Sequence, residues 1–212
     1  MQMLSNIPGR LPALRASNDH GAALVKRHPS RFGLLAALPT DDPVKAVAEA
    51  RRARDILDAD GFAVTTRYNG VHLGDPSLDP LWALLDEWRA VVFVHPDARV
   101  PPTLDHPAPL YEVAFDTART VFDMLFRKTF ARHPDITFVI AHCGGAFPAL
   151  TGRLRLLGNE SWVPQGITAE EIDAQTSALY VDTAATAFAH SLLPAKAAVG
   201  AGRMNRDRKS VV

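Results

Sequence analysis

The chain carries a single cysteine, Cys143, in 212 residues, so neither an internal disulfide framework nor a multi-cysteine zinc site can be built from it. Charge of one sign is missing as well. Its 23 basic and 23 acidic residues cancel at a pI near 7.1, which gives no electrostatic reason to expect nucleic acid or a membrane surface as partner. No apolar run approaches the roughly 20 residues of a membrane helix. The opening residues 1–10 lack the basic region and apolar core of a signal peptide, so a cytoplasmic location is expected and the sequon at Asn159, Glu160 and Ser161 carries little weight. There is no G-x-G-x-x-G after the first strand pattern and no Walker A sequence, so the usual nucleotide phosphate cradle is lacking. No internal repeat of useful strength is present.

What is there is ordinary for one globular domain: 47% apolar and 22% charged residues, enough for a single core. Short apolar runs bounded by proline or glycine alternate with helical patterns five or six times. Strands are expected near 1–7, 32–38, 61–66, 90–94, 136–141 and 178–181. Helices are expected over 14–27, 43–57, 78–88, 113–130, from Pro148, from Thr168, and over 184–199. This alternation predicts a parallel α/β fold, a (β/α) barrel rather than an open doubly wound sheet. Residues 97–109 form a proline-rich loop long enough to be a lid or a substrate-binding segment.

The stretch 136–153, ITFVIAHCGGAFPALTGR, organises the rest. His142 stands where a buried strand stops. Gly144 and Gly145 permit a sharp turn, and Pro148 suits the first turn of a helix. A second apolar run delivers His95 to the end of its strand, followed at once by Pro96, which cannot continue a ladder. If the two strands are neighbours, at about 4.8 Å, both imidazoles point into one pocket and can share a metal or a substrate. Alone, a strand-end histidine is more often a satisfied polar group than a ligand; two at one end of a sheet shift that balance.

The other histidines have blander readings. His28 and His133 precede prolines at helix ends, His20 and His190 lie in helical stretches, and His72 and His106 sit in loops near the functional face. Cys143 adjoins His142, but neighbours along a strand face opposite ways, so a Cys–His nucleophile is not expected. Asp182, at the end of the last strand, is either a metal ligand, an orienter of a histidine, or a cap for a helix over 183–187. Asp116 and Arg119 are either a surface pair or reach a substrate carboxylate.

With these residues laid out, the chain resembles the amidohydrolase superfamily, in the branch of aminocarboxymuconate semialdehyde decarboxylase and the resorcylate-type decarboxylases. The resemblance rests on His28 to Gly33 before Leu38 and Pro39, on Gly70 with Leu73, Gly74 and Asp75, and on Val94, His95 and Pro96. It continues through Phe115, Asp116 and Thr117, through His142 to Gly145 with Pro148 and Arg153, and through Tyr180 to Ala184. It implies a (β/α)₈ barrel with one divalent metal, usually zinc. His95 is implied as a metal ligand and His142 as the catalytic acid/base. The substrate is a small carboxylated or aromatic molecule, its binding residues unassigned, and a homodimer follows by family analogy.

Two features of that family are absent. No H-x-H pair occurs anywhere, and no metal-binding Asp follows a Gly-Ser or Gly-Thr pair near the end. The expectation is therefore an incomplete barrel, approximately strands 2 to 7, over residues 1–206, with an incomplete metal-ligand set. Residues 207–212 are expected to be a non-native tail from sequencing-adapter read-through. The activity expected of the whole protein is decarboxylation. Metal-dependent hydrolysis of a lactone, ester or amide is the alternative, and a non-catalytic ligand-binding α/β domain is the alternative of another class. The piece alone is expected to be inactive.

Overall fold

The structure is a computed structural model that describes residues 1–99, 101–186 and 188–205. The tail expected at 207–212 lies outside the described residues. Seven strands form one parallel sheet: β1 (Gln2–Leu4), β2 (Phe32–Ala37), β3 (Gly61–Thr65), β6 (Val91–His95), β7 (Thr137–Ile140), β8 (Tyr180–Asp182) and β9 (Met204–Asn205). The remaining two, β4 (Arg67–Tyr68) and β5 (Val71–His72), make a small antiparallel hairpin. Within the large sheet, spatial order equals chain order. A doubly wound sheet reverses direction at a switch point. This one never does, so the chain winds one way, as in a barrel, and β1 and β9 are its outer members. The expected incomplete (β/α)₈ barrel is the architecture found, with a two-residue β9 added beyond the last strand expected.

Helices fill the connections: α1 (Leu11–Arg27), α2 (Pro43–Asp55), α3 (Asp79–Glu87), α4 (Ala108–Phe126), α5 (Thr129–Arg132), α6 (Phe147–Leu157), α7 (Ala169–Thr176) and α8 (Ala189–Val199). Proline stands in the first turn of α1, α2, α3, α4 and α6, where its missing N–H costs nothing. Because Pro43 opens α2, the cap falls on Asp42, which accepts from Lys45 N–H at 3.1 Å. The helix expected over 113–130 starts earlier and breaks at Lys128, whose φ of 55° is left-handed. A reciprocal capping box between Thr168 and Glu171 starts α7.

Period-two alternation divides the strands between two faces. Phe62, Val64, Val92, Val94, Phe138 and Ile140 point to the helices and join the main core. Leu35, Ala63, Phe93 and Ala141 form a smaller cluster on the concave face. His95 follows Phe93 by two residues and shares that face, with ring centroids 6.1 Å apart. Beneath β2, buried Asn18 of α1 donates to the Ala37 carbonyl at 3.0 Å and accepts from its N–H at 2.8 Å. Asn18 in turn is held by buried Glu49 of α2. This polar staple fixes the strand end nearest the mouth.

Candidate functional site

The pairing of β6 with β7, Val94 opposite Ile140, sets the site. His95 is the last residue of β6. Beyond β7 the chain turns through His142, Cys143, Gly144 and Gly145, with φ of 57°, 54°, 78° and 60°. Left-handed backbone costs a non-glycine residue about 1–2 kcal/mol, so two such residues in a row mark a turn enforced by its surroundings. The turn splits its side chains. Cys143 goes into the core at 1% exposure, where burial pushes its thiol up, only partly offset by a hydrogen bond with Thr186. His142 goes to the barrel mouth. Its separation from Cys143 arises from this turn and not from strand alternation.

The imidazoles of His95 and His142 meet edge to face, with centroids 5.1 Å apart and Nε2 atoms 3.3 Å apart. His95 Nδ1 lies 2.9 Å from the Pro96 carbonyl, and His142 Nδ1 lies 3.1 Å from the Ala184 carbonyl. A carbonyl only accepts, so each Nδ1 bears its hydrogen and donates. In neutral rings both Nε2 lone pairs then face the same point. Two lone pairs at 3.3 Å repel unless a proton or a cation lies between them, so the arrangement fits a divalent cation as part of its ligand set. Among the described residues no third His, Cys, Asp or Glu joins them in a metal-holding group.

A cleft of about 250 Å³ opens beside His95, walled by Thr65, Arg99, Ser5, Asn6 and Ile7. Asp97 Oδ1 fixes the Arg99 guanidinium, taking Nε at 2.7 Å, and the guanidinium carbon sits 5.5 Å from the Tyr68 ring centre. A larger groove of about 380 Å³, between α4 and α6, is apolar and holds none of the histidines. The cleft beside His95 is therefore the candidate site.

A buried cluster braces the mouth. Thr66 N–H donates to the His95 carbonyl at 2.9 Å, its hydroxyl donates to Asp116, and the same hydroxyl accepts from Asp97 N–H at 3.0 Å. Asp116 is 4% exposed and Arg119 is exposed, so the surface pair considered from sequence does not form. Asp116 instead reaches inward from α4 to Thr66, with Arg67 Nε 3.7 Å away. Asp182 accepts from the backbone of His142 and Ala184, and residues 183–186 make no helix. Of the remaining histidines, His72 is part of the β4–β5 hairpin and His20, His28, His106 and His190 are exposed. His133 stands at a helix end as expected, the C-cap of α5, but is buried, which pulls its pKa down, first through desolvation and then through Arg132. Sequence reasoning missed Thr66, Arg99 and the Ala184 carbonyl. Strand-end position could have flagged Thr66, but a backbone carbonyl carries no sequence signal.

A singly wound parallel sheet that forms part of a barrel, with two imidazoles at the carboxyl ends of its strands, defines the (β/α) barrel class of fold. The amidohydrolase family model matches residues 10–204, and the chain belongs to that family. It is similar to a decarboxylase of Penicillium terrestre, with 34% identity over 195 residues, 86% of this chain and 57% of the relative. It is also similar to 6-methylsalicylic acid decarboxylase of Penicillium expansum, with 30% identity over 176 residues, 80% of the chain and 54% of the relative. The chain thus spans little more than half the length of these relatives. In three dimensions it matches 2,6-dihydroxybenzoate decarboxylase from Rhizobium, with a TM-score of 0.83 and 23% identity, over 97% of this chain and 71% of that one. A dihydroxybenzoic acid decarboxylase from Polaromonas, solved with bound manganese, matches with a TM-score of 0.80 and 22% identity, over 92% and 64%.

Proposed function

We propose that this chain carries the histidine half of the site of a metal-dependent decarboxylase acting on a small aromatic carboxylic acid. The observation that carries the reading is the convergence of two Nε2 atoms, each ring locked by a carbonyl at Nδ1, at the mouth of the barrel beside a cleft. Family membership and the decarboxylases among its relatives support it.

In this reading His95 is a ligand of one divalent cation, zinc by the sequence resemblance, while manganese is the ion in a structural neighbour. A bound cation would supply Lewis-acid polarisation of substrate oxygens. His142 supplies the proton. His142 Nε2 first takes up a proton from solvent while Nδ1–H stays on the Ala184 carbonyl; the bond from ring carbon to carboxylate then breaks, its electron pair stays on the ring carbon, and Nε2 passes that proton to the carbon as carbon dioxide leaves. Arg99, pinned by Asp97, faces the cleft and suits an anionic or aromatic substrate.

The test uses the chain with millimolar zinc or manganese, because His95 is one ligand of a usual four-ligand set and, even with His142 beside it, holds the ion weakly. Zinc is expected to shift the ring signals of His95 and His142 together in NMR spectra. The whole protein of which this chain is a part is expected to release labelled carbon dioxide from carboxyl-labelled 2,6-dihydroxybenzoate or 6-methylsalicylate, at a rate about 100-fold lower in His142→Ala, while this chain alone is expected not to. Cleavage of an ester or lactone without carbon dioxide release would move the assignment to hydrolysis. No metal-dependent shift and no turnover of either kind would leave a ligand-binding domain.

A further inference from the structure

The turn that carries His142 has little to hold it from within: Gly144 N–H donates to the Ala141 carbonyl at 3.0 Å and Gly145 N–H to the His142 carbonyl at 2.9 Å. Neither bond restrains the His142 amide or its ring. Those restraints come from β8, forty residues further along the chain. Asp182, 2% exposed, uses one oxygen, Oδ1, to accept from His142 N–H at 2.7 Å and from Ala184 N–H at 3.0 Å. The carbonyl of that same Ala184 accepts from His142 Nδ1 at 3.1 Å. The contacts close a ring: carboxylate to His142 backbone, His142 side chain to Ala184 carbonyl, Ala184 amide back to the carboxylate.

We propose that Asp182 is a positioning residue for the His142 imidazole, setting both the left-handed backbone that aims the ring at His95 and the tautomer that leaves Nε2 facing His95. A buried ionised acceptor shared by two amides holds them more tightly than a neutral one, and the peptide unit of Ala184 passes that constraint to the ring. The carboxylate therefore acts on the proton-moving atom without touching it. This inference rests on the reading of His142 as the group that moves the proton, but its geometric content stands apart from any activity.

The experiment reads the ring rather than turnover alone. In the wild-type chain, a scalar coupling across the hydrogen bond from the His142 amide to the Asp182 carboxyl carbon is expected, and the ¹⁵N signals of His142 are expected to report the Nδ1–H tautomer. In Asp182→Ala, the His142 and Ala184 amides are expected to exchange with solvent roughly tenfold or more faster, and the ring to become a tautomer mixture. Asp182→Asn keeps an acceptor at Oδ1 and is expected to restore the Nδ1–H tautomer. An Asp182→Ala chain that folds and keeps the wild-type tautomer and exchange rates overturns the proposal. If that variant does not fold, absence of the coupling in the wild-type chain overturns it equally. Tautomer loss in Asp182→Ala, together with a whole protein that never releases carbon dioxide, would sink the decarboxylase reading and leave this one standing.

Discussion

Glu49 is the carboxylate whose removal the structure makes most measurable. Its side chain is fully buried between α1 and α2 and accepts four hydrogen bonds: Arg15 Nε at 2.9 Å, Asn18 Nδ2 at 2.8 Å, and Arg52 through two nitrogens at 3.0 and 2.7 Å. Truncating one partner of a buried ion pair costs about 3–5 kcal/mol because the other is left uncompensated. Here Arg15 and Arg52 remain 44% and 22% exposed and recover part of their hydration, so Glu49→Ala is expected to lose about 2–3 kcal/mol. For a chain of this size that corresponds to a melting midpoint lower by roughly 5–10 °C at pH 7. The pH dependence has a definite sign. Burial is the largest influence on Glu49 and opposes its charge, but the bonds from Arg52, Asn18 and Arg15 outweigh it and hold the carboxyl below its ordinary 4.5. Its contribution is therefore complete above pH 4.5 and is lost as pH falls through the lower folded-state value. Urea titrations of wild type and Glu49→Gln between pH 3 and 7 should converge on the acid side. A loss under about 1 kcal/mol for Glu49→Ala at pH 7, or a gap that widens in acid, would refute the reasoning.

Two further outcomes follow from the turn after β7. A Cβ at Gly145 would stand 2.6 Å from the Ala114 carbonyl oxygen, a backbone atom, at a φ of 60°, so Gly145→Ala is expected to cost more than about 1 kcal/mol and to move the His142 ring signals. Unchanged melting and unchanged ring shifts would contradict the packing described. Cys143 is buried with its thiol pushed up, so a thiol reagent at pH 8 should leave the native chain unlabelled and modify one group per chain in denaturant; rapid native labelling would show an open turn.

The resemblance implied a barrel, and both histidines were legible for local reasons. Val92 and Val94 alternate with Phe93, and that alternation places His95 on the concave face. The glycines after His142 announced a turn. Other elements were read less well because their signals compete. Asn69 and Gly70, at φ of 49° and 92°, close the β4–β5 hairpin, yet each strand is two residues long, too short to carry an alternation. The break at Lys128 interrupts an apolar helical pattern that runs past it. Asp116, left open in the sequence between a surface pair and a substrate contact, became the buried partner of Thr66 only when α4 packed across the end of β3.

Sequence alone located the strands and helices to within about five residues, since apolar runs, prolines and glycines act over a few residues. It thereby placed His95 and His142 at the ends of their strands. Tertiary structure alone decided that the rings face one another, that Cys143 turns into the core, and that Asp182 reaches back forty residues to hold His142. Those outcomes depend on the parallel register of β6, β7 and β8, and register arises from packing the whole sheet against its helices.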